Sequence, residues 1–586
     1  MADQRYTGEV LATHTTNEQW SRKTVVVKTK PRPLVPIIFF PGVMGTRLQL
    51  QAKAVGSRFL WNPDSKKGLF DSYLFEGLFS WGDGTDADVR NVGTRLGSPG
   101  QLLSDLDSSH VSAEEKCIED ELFFNSSEEE KKGLKPHIQK VMQRRQARGW
   151  YSMFYDSYVP LLHTLNQWGR GYSVKQLDEA GQMQPLHNQQ AFHPVWAFGY
   201  DWRQGADLIA QGGRPYAKGE DFSTFLEKVF ADSYTDCVDW YWPKQKQVIV
   251  VTHSMGSLVA RYISEVAGFR DRIAGIIHLA QPTTGAPAAS LRLLAGTQTE
   301  DMAKLGGSDD QAIRNIMGIS PYRYLTGVAQ LTGPQTLLAS NDYCADAEKA
   351  VASAKDPIDW IKWVDPQGEH KTFINQQKIG ATRGESGLPS IHKDERIGWL
   401  APRFWSRWGS PGAYDYTALK PLHDFKTQWR ADAAGVKDHS EPSSQGKKSK
   451  FDDVQNAYDE ANTIVTRLRL KYHPETTAIY SNGGQSITRL TVQLLPVKFP
   501  VSQSMDPNTL QMKPTLIDAF QVHWGFERSA GDGTVPESSG KALSAAGVKL
   551  QKAIAGPHSE HQNIGHNPQA QSQLFTALRA ISKKFI

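Results

Sequence analysis

Residues 248–262 read VIVVTHSMGSLVARY: an unbroken apolar run, a turn of small and polar residues around Ser254, then apolar positions at helical spacing. A run such as 248–251, with no polar alternation, marks a strand buried on both faces of a parallel sheet. Beyond the turn, Leu258, Val259, Tyr262, Ile263 and Val266 keep the helical period until Gly268 supplies a stop. Strand, sharp turn and helix in this order have the form of a nucleophile elbow. A serine at the apex of that strained turn exposes its hydroxyl, and the next backbone N–H can face a developing oxyanion. The turn needs small residues two places before and two after the serine. Here they are Thr252 and Gly256, the first departing from the commoner glycine.

A serine followed two residues later by glycine also occurs at Ser80, Ser98, Ser410, Ser444, Ser481, Ser529 and Ser538. Two places before these stand Leu78, Leu96, Trp408, Pro442, Ile479, Glu527 and Pro536, none of which suits so tight a turn. Ser254 alone combines a small preceding residue with a buried strand.

Working outward, residues 35–40 form a first apolar strand running into PGVMGT at 41–46, and 273–280 form another that ends in QPTTGAP. Helical spacing at 155–168 and 222–230, with the segment VWAFGYDWR at 195–203 between them, fills in an alternation of strands and helices. Such alternation predicts a mostly parallel sheet with right-handed crossovers and ligand sites beyond the carboxyl ends of its strands. The expected fold class is α/β, an α/β-hydrolase core with a large inserted cap.

Residues 30–290 read as the first part of the core, carrying an insertion at about 50–150 that includes the charge run EEEKK at 128–132 and a basic helical stretch at 141–148. Residues 291–474 show no core alternation and are too long for a loop, which predicts a cap or lid. Its stretch 438–450 has the composition of a mobile connector. Residues 475–586 return to the core, with a strand at 476–480, a hairpin through 487–497 and a final amphipathic helix at 569–586.

Composition narrows the class further. The chain is 39% hydrophobic and 22% charged, and a formal net charge of +4 over 586 residues points to no polyanionic partner, so no nucleic acid is expected. Cys117, Cys237 and Cys344 are widely spaced without CxxC pairing, which supports neither a disulfide framework nor a thiolate zinc site. The N-terminal stretch lacks the apolar core of a secretory signal, so the expectation is synthesis in the cytoplasm and export by another route. No run approaches the ~18 apolar residues of a membrane span. Trp360, Trp363, Trp399, Trp405 and Trp408 cluster mid-chain, for lipid contact or, more commonly for tryptophan, for packing.

A serine hydroxyl needs a histidine to take its proton and an acid to orient that histidine. In this fold class the chain order is serine, acid, histidine. Asp532, within GDGTVPESS at 531–539, is the acid candidate, because flanking glycines let a turn project its carboxylate. GPHSEHQNIGHN at 556–567 offers three bases: His561 is favoured, His558 is second and His566 third. His253, beside the serine, reads as a packing residue. The backbone N–H groups of Val43 and Met255 are the expected oxyanion donors. No cofactor or metal is expected; Asp309 and Asp310 could ligate calcium, but paired loop carboxylates are usually solvated. Asp201, Trp202 and Arg203 suit either a pocket wall facing a head group or a structural ion pair.

FFPGVMGT, YDWR, THSMGS, GDGTVP and a late histidine loop together resemble the lecithin:cholesterol acyltransferase-like lipases and the related GPI inositol-deacylase-like hydrolases. The QPTTGAP and EHQNI strings, with the signal-less N-terminus, make the chain most similar to bacterial type VI secretion phospholipase effectors. That resemblance implies a serine phospholipase working through an acyl-enzyme, with Ser254, His561 and Asp532 as triad, secreted by type VI secretion into a target cell. It further implies membrane phospholipid as substrate, a spike component as carrier and a cognate immunity protein as partner. Acyl transfer to an alcohol, and a non-catalytic binding protein on a hydrolase fold, are the rival readings.

Overall fold

The computed structural model describes residues 33–50, 108–123, 135–172, 191–213, 220–235, 246–295, 331–346, 450–505, 512–546 and 560–585, together with short strands and single residues between them. Its centre is a six-stranded parallel sheet. In chain order the strands are β1 (Ile37–Phe40), β2 (Val195–Ala197), β3 (Val248–His253), β4 (Ile273–Leu279) and β5 (Thr476–Ser481). An antiparallel ribbon of β6 (Gly484–Met505) and β7 (Met512–Gly531) follows, and β8 (Lys549–Ala553) returns to the sheet. Across the sheet the order is β8-β5-β4-β3-β1-β2. The elbow strand β3 lies between β4 and β1, with Val251 in register with Ile277 on one side and Phe39 on the other.

The apolar runs are continuous because both faces of the sheet are covered. Ile38, Phe40, Val248 and Val250 belong to one buried cluster, and Ile37, Phe39, Ile249 and Val251 to another. Consecutive residues thus face opposite layers, as the two-residue period of a strand requires. The first layer is built with α4 (Phe222–Thr235), α5 (Gly256–Glu265) and α6 (Lys450–Leu468), through Phe222, Leu226, Val259, Ile263, Ala461 and Ile464. The second is built with α3 (Tyr155–Arg170) and α7 (Pro568–Ser582), through Val159, Leu162, Leu574 and Leu578. Two further helices, α1 (Ser108–Phe123) and α2 (Lys135–Ala147), precede α3, so the segment expected to leave the sheet is partly helical.

The structure differs from the sequence expectations in two places. The hairpin expected at 487–497 is far longer, pairing from Gly484 opposite Gly531 to Met505 opposite Met512 with register shifts between Ile487 and Arg489 and between Pro500 and Ser502. It joins Ile361–Val364 and His370–Thr372 in a separate four-stranded sheet. The described parts of 291–474 do not simply overlie the core. Leu331, Leu338, Tyr343, Trp360, Tyr458 and Leu468 are buried within the first layer. Trp360 is therefore a packing residue. Residues 399, 405 and 408, the charge run 128–132, residues 309 and 310, and 438–449 of the connector lie outside the described residues.

Phe575 of α7 is fully buried, with its ring 5.5 Å from that of Trp168. Phe575→Ala is expected to lower the unfolding free energy by about 3–5 kcal/mol, because the vacated volume adds a cavity to the lost burial. Urea denaturation followed by tryptophan fluorescence measures it.

Candidate active site

Ser254 follows the last residue of β3 with a φ of 50°, in the left-handed region that costs a residue with a Cβ. The surroundings hold it there. Its N–H donates to the Leu279 carbonyl at 3.0 Å and its carbonyl accepts from the Ser257 N–H at 3.0 Å. Two residues on, a Cβ on Gly256 would lie 2.4 Å from the Pro41 carbonyl oxygen and 2.6 Å from that of Phe40. Glycine there lets α5 start directly against the end of β1. Thr252 is tolerated on the other side of the serine because it is still in the strand, where its hydroxyl pairs with His278 Nδ1 at 2.8 Å.

The turn 41–46 after β1 lies beside the serine: a Cβ on Gly42 would come within 3.0 Å of Ser254 Cβ. The turn is tied down from three directions. Tyr200 donates its hydroxyl to the Pro41 carbonyl at 2.5 Å, Trp61 Nε1 donates to the Met44 carbonyl at 2.7 Å, and the Gly42 N–H donates to the Tyr158 hydroxyl at 3.1 Å. Among the described residues, no backbone carbonyl takes the N–H of Val43 or Met255.

Asp532 comes directly after β7, at the base of the long ribbon. Its Oδ1 accepts the N–H groups of Thr534 at 2.9 Å and Val535 at 2.6 Å, which leaves Oδ2 for His561 Nδ1 at 2.8 Å. The Asp532 carbonyl also accepts the His561 N–H at 2.7 Å, so acid and imidazole are joined through main chain and side chain. His561 Nε2 lies 2.8 Å from Ser254 Oγ. With Nδ1–H donated to the carboxylate, Nε2 carries the lone pair and the serine hydroxyl donates to it. Of the other expected bases, His566 bonds the Ser157 carbonyl through Nε2 at 3.0 Å and is turned to α3, and His558 lies outside the described residues.

His253 does more than fill space. Its Nε2 lies 2.8 Å from the His561 carbonyl oxygen and its Nδ1 2.9 Å from the Tyr158 hydroxyl. A carbonyl only accepts, so Nε2 holds the proton, Nδ1 accepts from Tyr158, and the Tyr158 oxygen accepts from Gly42. The chain His561 carbonyl, His253, Tyr158, Gly42 therefore links the base loop to the turn beside the serine. Burial, reinforced by the neighbouring His561 ring, pushes His253 down to about 3, so it stays neutral. Sequence reading missed Tyr158, Tyr200 and Trp61. Nothing in the spacing of an aromatic on a distant helix or loop says that its polar end reaches this turn.

Asp201 and Arg203 form a bidentate buried ion pair, Nε to Oδ1 at 2.8 Å and Nη2 to Oδ2 at 2.7 Å. Trp202 between them is buried edge-on to Trp61. The segment closes the loop after β2. As to metals, Asp64, His110 and Asp156 bring three possible ligand atoms within 4.8 Å of one another. Asp64 there already accepts the Tyr155 N–H at 2.9 Å, and His110 Nε2 lies 3.2 Å from Asp156.

A parallel sheet with this strand order, a strained serine between β3 and α5, and acid and histidine following in chain order define an α/β-hydrolase fold. Over residues 127–338 the chain matches the family model of lecithin:cholesterol acyltransferase. That span holds Ser254 but neither the 41–46 turn, Asp532 nor His561. Among solved structures it is similar to a chain in the crystal structure of the Tle4–Tli4 complex, at 18% identity and a TM-score of 0.53, covering 94% of this chain and 99% of that one. No curated protein matches the sequence. Among the described residues, no helix is long and apolar enough to cross a membrane.

Tyr158→Phe removes the hydroxyl between Gly42 and His253 and leaves two buried polar groups without it. The expected loss is about 1–3 kcal/mol of stability, read by urea denaturation against the parent chain. A second expectation concerns pH. Burial holds His193 near 4 and His253 near 3, so both rings are neutral in the folded chain while unfolded histidines protonate. Unfolding then takes up protons and stability falls with falling pH. Asp64, raised by burial to about 6, gains its proton in the folded state and offsets one of the two rings. His278, which burial also pushes well down, acts in the same sense, so the loss is at least roughly 1.4 kcal/mol per pH unit between about pH 6 and 5, measured as unfolding free energy across that range.

Proposed function

We propose that the chain is a serine carboxylester hydrolase that cleaves glycerophospholipids through an acyl-enzyme. The observation that carries this reading is the continuous line Ser254 Oγ, His561 Nε2, His561 Nδ1, Asp532 Oδ2, with 2.8 Å at each of its two hydrogen bonds. Ser254 attacks the ester carbonyl as His561 takes its proton, and the Val43 and Met255 N–H groups receive the oxyanion. Collapse of the tetrahedral intermediate expels the lyso-lipid alkoxide, which takes the proton from His561. Water, deprotonated by the same imidazole, then releases the fatty acid. Asp532 keeps the proton on Nδ1 and stabilises the imidazolium.

Lipid as the substrate class is supported by the likeness of residues 127–338 to lecithin:cholesterol acyltransferase. That likeness also favours one second reading, transfer of the acyl group to an alcohol, which shares the acyl-enzyme. The similarity to a chain of the Tle4–Tli4 complex supports a further part of the proposal. The protein would act as an antibacterial effector of type VI secretion, loaded on a spike component and restrained in the producer by a cognate immunity protein.

Vesicles of defined phosphatidylcholine, phosphatidylethanolamine and phosphatidylglycerol, with products read by mass spectrometry, test the reading. Free fatty acid and lysolipid are expected from the parent chain. Ser254→Ala should lose that release almost completely, and Asp532→Asn should lower turnover about 10,000-fold by upsetting the imidazole tautomer. Full activity in Ser254→Ala overturns the mechanism, and acyl esters formed with added alcohols at the expense of free acid favour transfer.

A further inference from the structure

A second set of nucleophile, imidazole and carboxylate lies between α1 and α3. Glu114 and Cys117, three residues apart, share a face of α1, and His163 of α3 reaches both. Cys117 Sγ lies 3.3 Å from His163 Nδ1, and His163 Nε2 lies 2.8 Å from Glu114 Oε2.

Glu114 is fully buried, which alone would raise it, but the hydrogen bonds and charges of His163 and Arg145 outweigh burial and bring it to about 2. It is therefore an ionised carboxylate that only accepts. Arg145 Nη1 at 2.7 Å, the Tyr151 hydroxyl at 2.8 Å and the Tyr155 hydroxyl at 3.1 Å all donate to it. His163 Nε2 must then carry a proton as well. Its Nδ1 is left to accept the Cys117 S–H. A purely structural role for Glu114 is met by the arginine and the two tyrosines. The thiol on the far nitrogen of an imidazole so oriented is the added feature, and a base held by a third group is what activates a nucleophile.

We propose that Cys117 is a modification site: a nucleophilic thiol, activated by His163 and Glu114, that reacts with small electrophiles of the peroxide class. It is partly exposed, whereas Cys344 is buried. His163 takes the thiol proton and the thiolate sulfur attacks one oxygen of hydrogen peroxide. The S–O bond forms as the O–O bond breaks; sulfur is oxidised by two electrons, and the departing hydroxide takes the proton from His163 to leave as water. The product, a sulfenic acid, is reversed by thiols. None of this depends on the role of Ser254.

The test pulses the full chain with hydrogen peroxide at neutral pH, traps sulfenic acid with dimedone, and reads each cysteine peptide by mass spectrometry. With His163 placed to take the thiol proton as sulfur attacks, Cys117 is expected to react roughly tenfold faster in the folded chain than in the same chain unfolded in urea. His163→Gln, with folding checked by near-ultraviolet circular dichroism, should remove that acceleration. Native Cys117 reacting no faster than unfolded Cys117, a comparison that needs no variant, overturns the proposal. So does an unchanged rate in folded His163→Gln.

Discussion

The site rests on one steric constraint, the direct approach of α5 to the end of β1. At Gly256 the helix comes so near the carbonyls of Phe40 and Pro41 that no side chain fits between them. Strand β3 must therefore turn sharply at Ser254, and the φ of 50° there is what that turn demands. The same proximity sets the 41–46 turn beside the serine, where Tyr158, Tyr200 and Trp61 hold it. Relaxing the contact would release strain at Ser254 and separate the serine from the 41–46 turn.

Two imidazoles stand close to the serine, their centroids 4.9 Å apart. A positive charge on either disfavours one on the other. Burial settles which ring stays neutral: His253 lies deeper and pairs with neutral partners, whereas His561 has the Asp532 carboxylate. His253 therefore stays neutral, and the ring with a carboxylate behind it is the one that touches Ser254. The reading of His253 as packing caught its burial and missed its hydrogen bonds, since only the fold brings Tyr158 and the His561 carbonyl to it.

Legibility in the sequence followed how local each signal was. Strands β1, β3 and β4 show as apolar runs because both their faces are buried, and Gly256 shows because a turn that tight admits little else. The turn that carries Asp532 was legible through its glycines. Choosing His561 among three histidines used one apolar neighbour, Ile564, which the structure buries. The long ribbon was hidden by Pro496 and Pro500, residues that normally end strands yet here stand opposite Phe520 and Leu516. The burial of Leu338, Tyr343 and Ile464 was hidden too, because stretches that pack individually against a distant layer carry no alternation of their own.

Ser254 and the imidazole beside it are 307 residues apart in the chain. At a synthesis rate of about 5–20 residues per second, that separation is roughly 15–60 s of translation. The strand, the elbow and α5 can all emerge and pack within this interval, well before the loop bearing His561 arrives. Completion of the site thus waits on the loop that follows β8, and a chain truncated before that loop presents Ser254 without the imidazole beside it.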